Sequence, residues 1–504
     1  MRAITAATWL VVLSVSGAVE GGDMTATLKS GVLTIKDSSA DDSFTIDQAA
    51  LMTTNFRLTP DPGTTINGSG AAQVFSGVTK DVKLVFGSGS DGVELDDLTI
   101  ERDLVVMAGN GIQVAVVISN GLDVGRDLRV DSKTPQFSLS SAGTGNIVRR
   151  DVKCDLRGAT SNTLQFSPLH VQRNTVVKGG KGNDVIVIGA NAQFVGNLTF
   201  DGGAGFDTFV DSDTIVVGGN FKMTGNGSTK TCVLTGKYSG EVTADLGNAN
   251  GNTVVCTSSD VGGSLRAKFG TGTNNILSVA GSNVTDDIEC TSKGGADTVT
   301  ITNVNTGGDV RVKLGNGTNF AGVVGGSVIG GDIRMTGGTG TDEFQVDASA
   351  TLGDIKATFA SAPTGFPDAY DMLTGTVGGD VTVTAGAGEF GGRIESVTIV
   401  GDLKLGLGSG DSFYTIFSGT YRSITATAGS GNDTFVLTGG TIKVVADVKL
   451  LLGSGNNLMP IAATTVGRDL IVKTGDGSDM ISIANSTIIG AQDIDLGGGI
   501  NNGP

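Results

Sequence analysis

The sequence predicts an all-β fold: a right-handed parallel β-helix, a solenoid of about 19 coils of about 23 residues with three short strands in each. Three observations carry this prediction. Glycine is abundant, at 81 of 504 residues. A short polar residue followed by alternating apolar positions recurs at a nearly constant interval. Each interval holds three short apolar segments separated by glycine-rich turns.

The glycines exclude as well as predict. Average usage is about 7 %, so glycine is enriched more than twofold. Only 8 prolines are present and there is no Gly-every-third-residue register, which rules out collagen. A hydrophobic content of 38 % argues against a disordered chain. Length alone would suggest roughly three domains of about 150 residues; a repeat array replaces them with one rod.

The repeat can be followed from an anchor residue: Asp81, Asp103, Asp127, Asp151, and so on to Asp469 and Asp493. Nineteen anchors span 412 residues, a mean period of about 23. One residue after the anchor, 18 of 19 positions are apolar, with Thr175 the exception. Three residues after it all 19 are apolar, Leu84, Val130 and Leu405 among them. A period of two puts both positions on one face of a strand. A glycine turn and a second alternating strand follow, such as Phe344/Val346 or Ile481/Ile483. A third segment then closes the coil, as in Val377-Gly-Gly-Asp380. Glycine supplies the positive φ and close backbone approach such corners need. A single coil cannot bury its own apolar face, whereas stacked coils bury a continuous column. At about 4.8 Å per coil the rod would be roughly 90 Å long.

The ends differ from the middle. Arg2, the apolar run 4–15 and the small residues Ser16-Gly17-Ala18 read as a secretory leader over 1–18. No further apolar run approaches the 18 or so residues of a membrane span, so no transmembrane anchor is expected. Residues 19–80 read as atypical coils forming an N-terminal cap, and 81–504 as the repeats. A solenoid end without a cap exposes a strand edge, which invites end-to-end self-association.

Net charge is −17. That disfavours nucleic acid, which needs a basic footprint, and suits divalent cations or an extracellular setting. The cysteines, Cys154, Cys232, Cys256 and Cys290, form no disulfide framework. Cys154 and Cys290 fall on inward positions; Cys232 and Cys256 lie one coil apart, within reach of a bridge only if their registers agree. The single His170 sits in a third segment.

Three turns fit the nonapeptide GGxGxDxUx, with U a large apolar residue: 179–187 (GGKGNDVIV), 202–210 (GGAGFDTFV) and 337–345 (GGTGTDEFQ). Near matches end at Asp91, Asp433 and Asp479. These turns resemble the calcium-binding repeats of RTX (haemolysin-type) secreted bacterial proteins. The resemblance implies Ca²⁺ held by glycine carbonyls and aspartates of stacked turns, a hard cation in an oxygen shell. Carried onto this sequence, the candidate ligands are Gly180, Gly182, Asp184, Gly203, Gly205, Asp207, Asp342, Asp411, Asp433 and Asp479, with Asp184/Asp207 as a pair on neighbouring coils and Asp411/Asp433 roughly so, the 411 turn being one residue shorter. RTX motifs run in tandem, whereas here the motif occurs once per coil, so few sites are expected. The residues themselves leave a second reading open, in which the aspartates cap backbone N–H groups of the turn.

Lys or Arg stands two residues after 10 of the 19 anchors, giving a column of cations beside a column of carboxylates. That arrangement is either mutual neutralisation or a face for an acidic polysaccharide. The expected function is a secreted or cell-surface, non-catalytic structural or adhesin-like rod, calcium-stabilised, with extracellular polysaccharide or cell-surface partners. The alternative is a polysaccharide lyase or hydrolase, for which the bulge at 361–371, with Asp368, Tyr370 and Asp371, is the candidate site.

Overall fold

The computed structural model describes residues 22–362, 365, 367–499 and 501–503. The leader expected at 1–18 lies outside them, as do three residues of the cap segment. Among the described residues there is no helix, so none is long and apolar enough to cross a membrane.

The chain winds through three strands per coil, and each strand pairs in parallel with its counterparts on neighbouring coils. The first coil of the regular array runs Val82–Phe86, Ser90–Asp96 and Thr99–Ile100. The next sets Leu104↔Val82, Val114↔Asp91 and Asp123↔Thr99 in register. The first sheet continues for nineteen strands to Gln492–Asp495, so eighteen full turns separate its ends. Strands of the third sheet are mostly two residues long, such as His170–Val171, because the wall there is little more than a corner.

Alternation decides what faces inward. The positions three after each anchor, from Leu84, Val106 and Val130 through Phe200 and Met335 to Val472, form one buried column. Aromatic rings stack along the axis near the C-terminal half. Ring centroids are 4.6 Å apart for Phe344–Phe359, 5.2 Å for Phe359–Phe390 and 6.0 Å for Phe390–Tyr414. Offset contacts of this kind add about 0.5–1.5 kcal/mol each to area burial.

One expectation needs correcting, and the two-residue offset expected between Cys232 and Cys256 is observed. The final anchor is Ala491: Leu470 pairs with Gln492, so Asp493 stands level with Ile471, two residues beyond the anchor position. The acidic side chain there mimics the pattern without sharing its register. Cys232 pairs with Val254 and Cys256 with Leu234, an offset of two residues, and all four cysteines are free and buried. Burial pushes the Cys256 thiol up to about 11.

The cap is more hairpin than coil. Asp23–Lys29 returns antiparallel as Val32–Lys36 through Ser30 and Gly31, both at positive φ. Ser43–Asp47 pairs antiparallel with Asn55–Pro60, which pairs in turn with Gln73–Ser76. Val32–Lys36 and Ser43–Asp47 also lie parallel to the first regular coil, through Leu33↔Val82 and Ser43↔Gly92. Met24, Phe56, Leu58 and Ile66 close the apolar end of the column.

Candidate functional site

The acidic glycine turns lead into the second sheet, and period two turns their aspartates inward. Asp184, Asp207, Asp342, Asp433 and Asp479 are all buried, each level with a counterpart on the next coil. Asn162, Asn252, Asn275, Asp297, Asn319, Asp368 and Asn457 occupy the same inward position on other coils. Together they form a ladder. On most rungs the backbone N–H donates to the side chain of the following coil: Asp184 to Asp207 Oδ1 (3.0 Å), Asn275 to Asp297 Oδ1 (3.0 Å), Asp342 to Asp368 Oδ1 (2.9 Å), Asn457 to Asp479 Oδ1 (2.9 Å); Asp207, Asn319 and Asp368 donate instead to backbone carbonyls of the next coil. Gly180 N–H also donates to Asp184 Oδ2 at 2.8 Å.

The expected glycines stand where neighbouring coils approach closely. Gly203 and Gly205 have φ of +70° and +103°, and a Cβ on Gly205 would lie 2.2 Å from the Gly182 carbonyl oxygen. The Gly180 carbonyl accepts the Ala204 N–H of the next coil at 3.1 Å. Asp184 and Asp207 are brought level as expected. Asp411 and Asp433 are not: Asp411 is exposed and accepts Asn432 N–H at 2.7 Å, while Ser412 stands level with Asp433 inside.

Sequence reasoning missed Lys230. It occupies a ladder rung with no exposed surface, its Nζ 3.1 Å from Asp207 Oδ2. The same ammonium donates to the carbonyls of Gly205 (2.6 Å), Asn226 (3.1 Å) and Ser228 (2.9 Å). A cation that belongs to the chain thus sits in a shell of turn oxygens. Its signal was a lysine where other coils carry Asp or Asn.

Burial raises the inward carboxyls. Asp342 is pushed up to about 7, and Asp368 and Asp433 to about 6. Asp207 is pushed to about 6 by burial, with Lys230 pulling the other way.

The outward anchors form a second ladder. Asp309, Asp332, Asp354 and Asp380 each accept the N–H of the following anchor at 2.8 Å. Their second oxygens meet the cation column, as in Arg311–Asp309 and Arg334–Asp332, both 2.6 Å. Arg422 holds Asp402 down at about 2, with Ser423 and Lys404 assisting against a smaller burial effect.

At 361–371, Pro363, Thr364 and Phe366 lie outside the described residues. Asp368 and Tyr370 turn inward and are buried, whereas Asp371 points out, 3.9 Å from Arg393. The two carboxylates therefore stand on opposite faces of one strand.

A third acidic feature lies where the cap meets the array. Asp37, Asp42 and Asp91 are buried together, with one oxygen of each within 4.8 Å of one from the other two. Asp42 accepts N–H groups of Gly22 (3.0 Å) and Ser38 (3.2 Å) and the Ser38 hydroxyl (2.8 Å). Asp91 Oδ1 accepts Asp42 N–H at 3.1 Å, and Asp37 Oδ2 accepts Gly87 N–H at 2.7 Å. Burial pushes Asp37 and Asp91 up. Asp42 is held below the ordinary range: burial opposes this, but the hydrogen bonds from Asp37, Ser38 and Gly22 outweigh it. The near-match turn ending at Asp91 marked one of the three; the partners Asp37 and Asp42 follow only from the stacking.

The stacked coils and their two polar ladders define a parallel β-solenoid repeat protein. No protein-family model matches the chain, and neither a curated protein nor a solved structure does so.

Proposed function

We propose that this chain is a secreted or cell-surface, non-catalytic structural rod with an adhesin-like role, binding a neutral extracellular polysaccharide along one wall. One observation carries the reading. Over eight consecutive strands of the second sheet, from Ser161–Phe166 to Asn319–Val324, every charged residue (Asp184, Asp207, Asp211 and Lys230) is buried. The outer positions are Thr, Ser, Val, Gln and similar residues, including Thr163, Val185, Thr208, Thr231, Val255 and Thr300. At about 4.8 Å between strands this neutral strip is roughly 34 Å long. It supplies hydroxyls on a fixed spacing beside methyl groups, a surface suited to a repeating, uncharged chain. Near its far end Ile276, Thr298 and Phe320 border a shallow groove of 320 Å³, where an aromatic ring can meet the face of a sugar.

The reading is tested by co-sedimentation with insoluble cellulose, chitin and β-glucan. The rod is expected to pellet with at least one, and Thr231→Lys with Thr300→Lys, or Phe320→Ala, to reduce the bound fraction. Absence of pelleting with every polymer would remove the adhesive role, and release of soluble sugar would remove the non-catalytic one. Export is checked separately, by N-terminal sequencing of protein recovered outside the cell, with Val19 the expected first residue.

A further inference from the structure

We propose that Asp37, Asp42 and Asp91 form a buried site for a hard divalent cation, calcium above all, that fastens the N-terminal cap to the first regular coil. This site is independent of the polysaccharide reading and uses none of the turn residues in the calcium expectation except the near-match Asp91.

Where a coil answers the second oxygen of its turn aspartate with a side chain, it uses a hydroxyl: Ser292 for Asp297, and Thr474 Oγ1 for Asp479 at 2.9 Å. The first coil instead presents a third carboxylate. Asp37 stands one residue past the Lys36↔Val85 pair, level with Phe86, at a position that is buried and apolar in the following coils at Phe86 and Ala108. A core position has been given to a carboxylate that stands within 4.8 Å of two more.

Three ionised carboxylates cannot share such a space without compensation. No lysine or arginine forms an ion pair with any of them among the described residues. The hydrogen bonds they accept leave two oxygens over. With all three ionised, so that Asp37 has no proton to share, Asp37 Oδ1 and Asp91 Oδ2 are buried in the cluster with no hydrogen-bond partner, on residues only 6 % and 3 % exposed. Lys230 shows what this fold does with a comparable demand: there a cation is surrounded by one carboxylate and three carbonyls. At the cap no side chain plays that part, and the donors are oxygens alone. An all-oxygen, carboxylate-rich set suits Ca²⁺, which tolerates irregular geometry, ahead of Mg²⁺, which demands an octahedron. The three ligands come from both sides of a seam, since Asp37 and Asp42 lie between the two cap hairpins and Asp91 belongs to the array. Binding there would hold the seam shut.

The test uses the full chain, stripped with chelator and then titrated with CaCl₂, MgCl₂ or MnCl₂. Calcium is expected to bind one equivalent at this site and to raise Tm by several degrees, as any ligand of the native state must. Asp37→Asn should abolish that binding and shift. Hydrogen exchange on the unaltered chain needs no variant: calcium should slow amides in 22–47 and 85–96, including Gly22, Ser38, Asp42 and Gly87. A cluster that holds shared protons instead will show no response to any of the three metals, which overturns the proposal. So does a response that survives Asp37→Asn, or protection confined to turns such as 179–211.

Discussion

At the scale of single residues, many polar groups inside the coil have a specific partner, and disturbing such a pair has a calculable cost. Lys230→Met would leave the Asp207 carboxylate buried without its cation, a loss of about 3–5 kcal/mol. The double change Lys230→Met with Asp207→Asn should recover most of it, and the midpoint of urea unfolding measures both. The pH profile follows from the two populations of carboxyls. Inward Asp342 and Asp433, raised to about 7 and about 6, stabilise the fold fully below pH 4, and that contribution fades as pH rises through 6 to 7. Outward Asp402, lowered to about 2, contributes fully above pH 4, and its share is lost as pH falls toward 2. Tm should therefore peak near pH 4–5. Asp342→Asn, which puts at this rung the amide other coils already carry at Asn275 and Asn319, should flatten the decline on the neutral side.

At the scale of the coil, backbone proximity rather than side-chain chemistry sets the tolerance of each corner. Gly205→Ala forces a Cβ against the Gly182 carbonyl at positive φ and should cost about 1–3 kcal/mol, read as a lower Tm. Asp332→Ala removes the acceptor for Asp354 N–H at an exposed corner and should cost about 0.5–1.5 kcal/mol, while Asp332→Asn keeps the acceptor and much of the stability. Coils were legible in the sequence because period two and the glycine corners are local signals. The anchors Asp81 to Asp469 hold their register, and Leu84 or Val472 could be assigned inward from spacing alone. What spacing does not contain is the sideways partner. Asp411 and Asp433 look equivalent along the chain, yet a turn one residue shorter puts one outside and the other inside. The Asp37–Asp42–Asp91 cluster joins residues about fifty positions apart, and Lys230 reads as an ordinary surface lysine until its rung is known.

At the scale of the whole molecule, eighteen turns make a rod whose walls differ in chemistry. The outer face of the first sheet carries paired charges, and part of the outer face of the second carries none. Solution scattering should give a maximum dimension of roughly 90–100 Å for a single rod, and end-to-end self-association would appear as a multiple of that length. One further consequence lies in the direction of the two ladders. An anchor N–H reaches back to a carboxylate of the coil before it, as Asp332 does to Asp309. A turn N–H reaches forward to the coil after it, as Asp184 does to Asp207. For a chain that winds from its N-terminal end, the two act at different moments. An arriving coil is caught at one corner by a group already in place, and at another it completes a bond its predecessor could not make alone. Each winding thus keeps donors open, the turn N–H among them, until the next has closed over it.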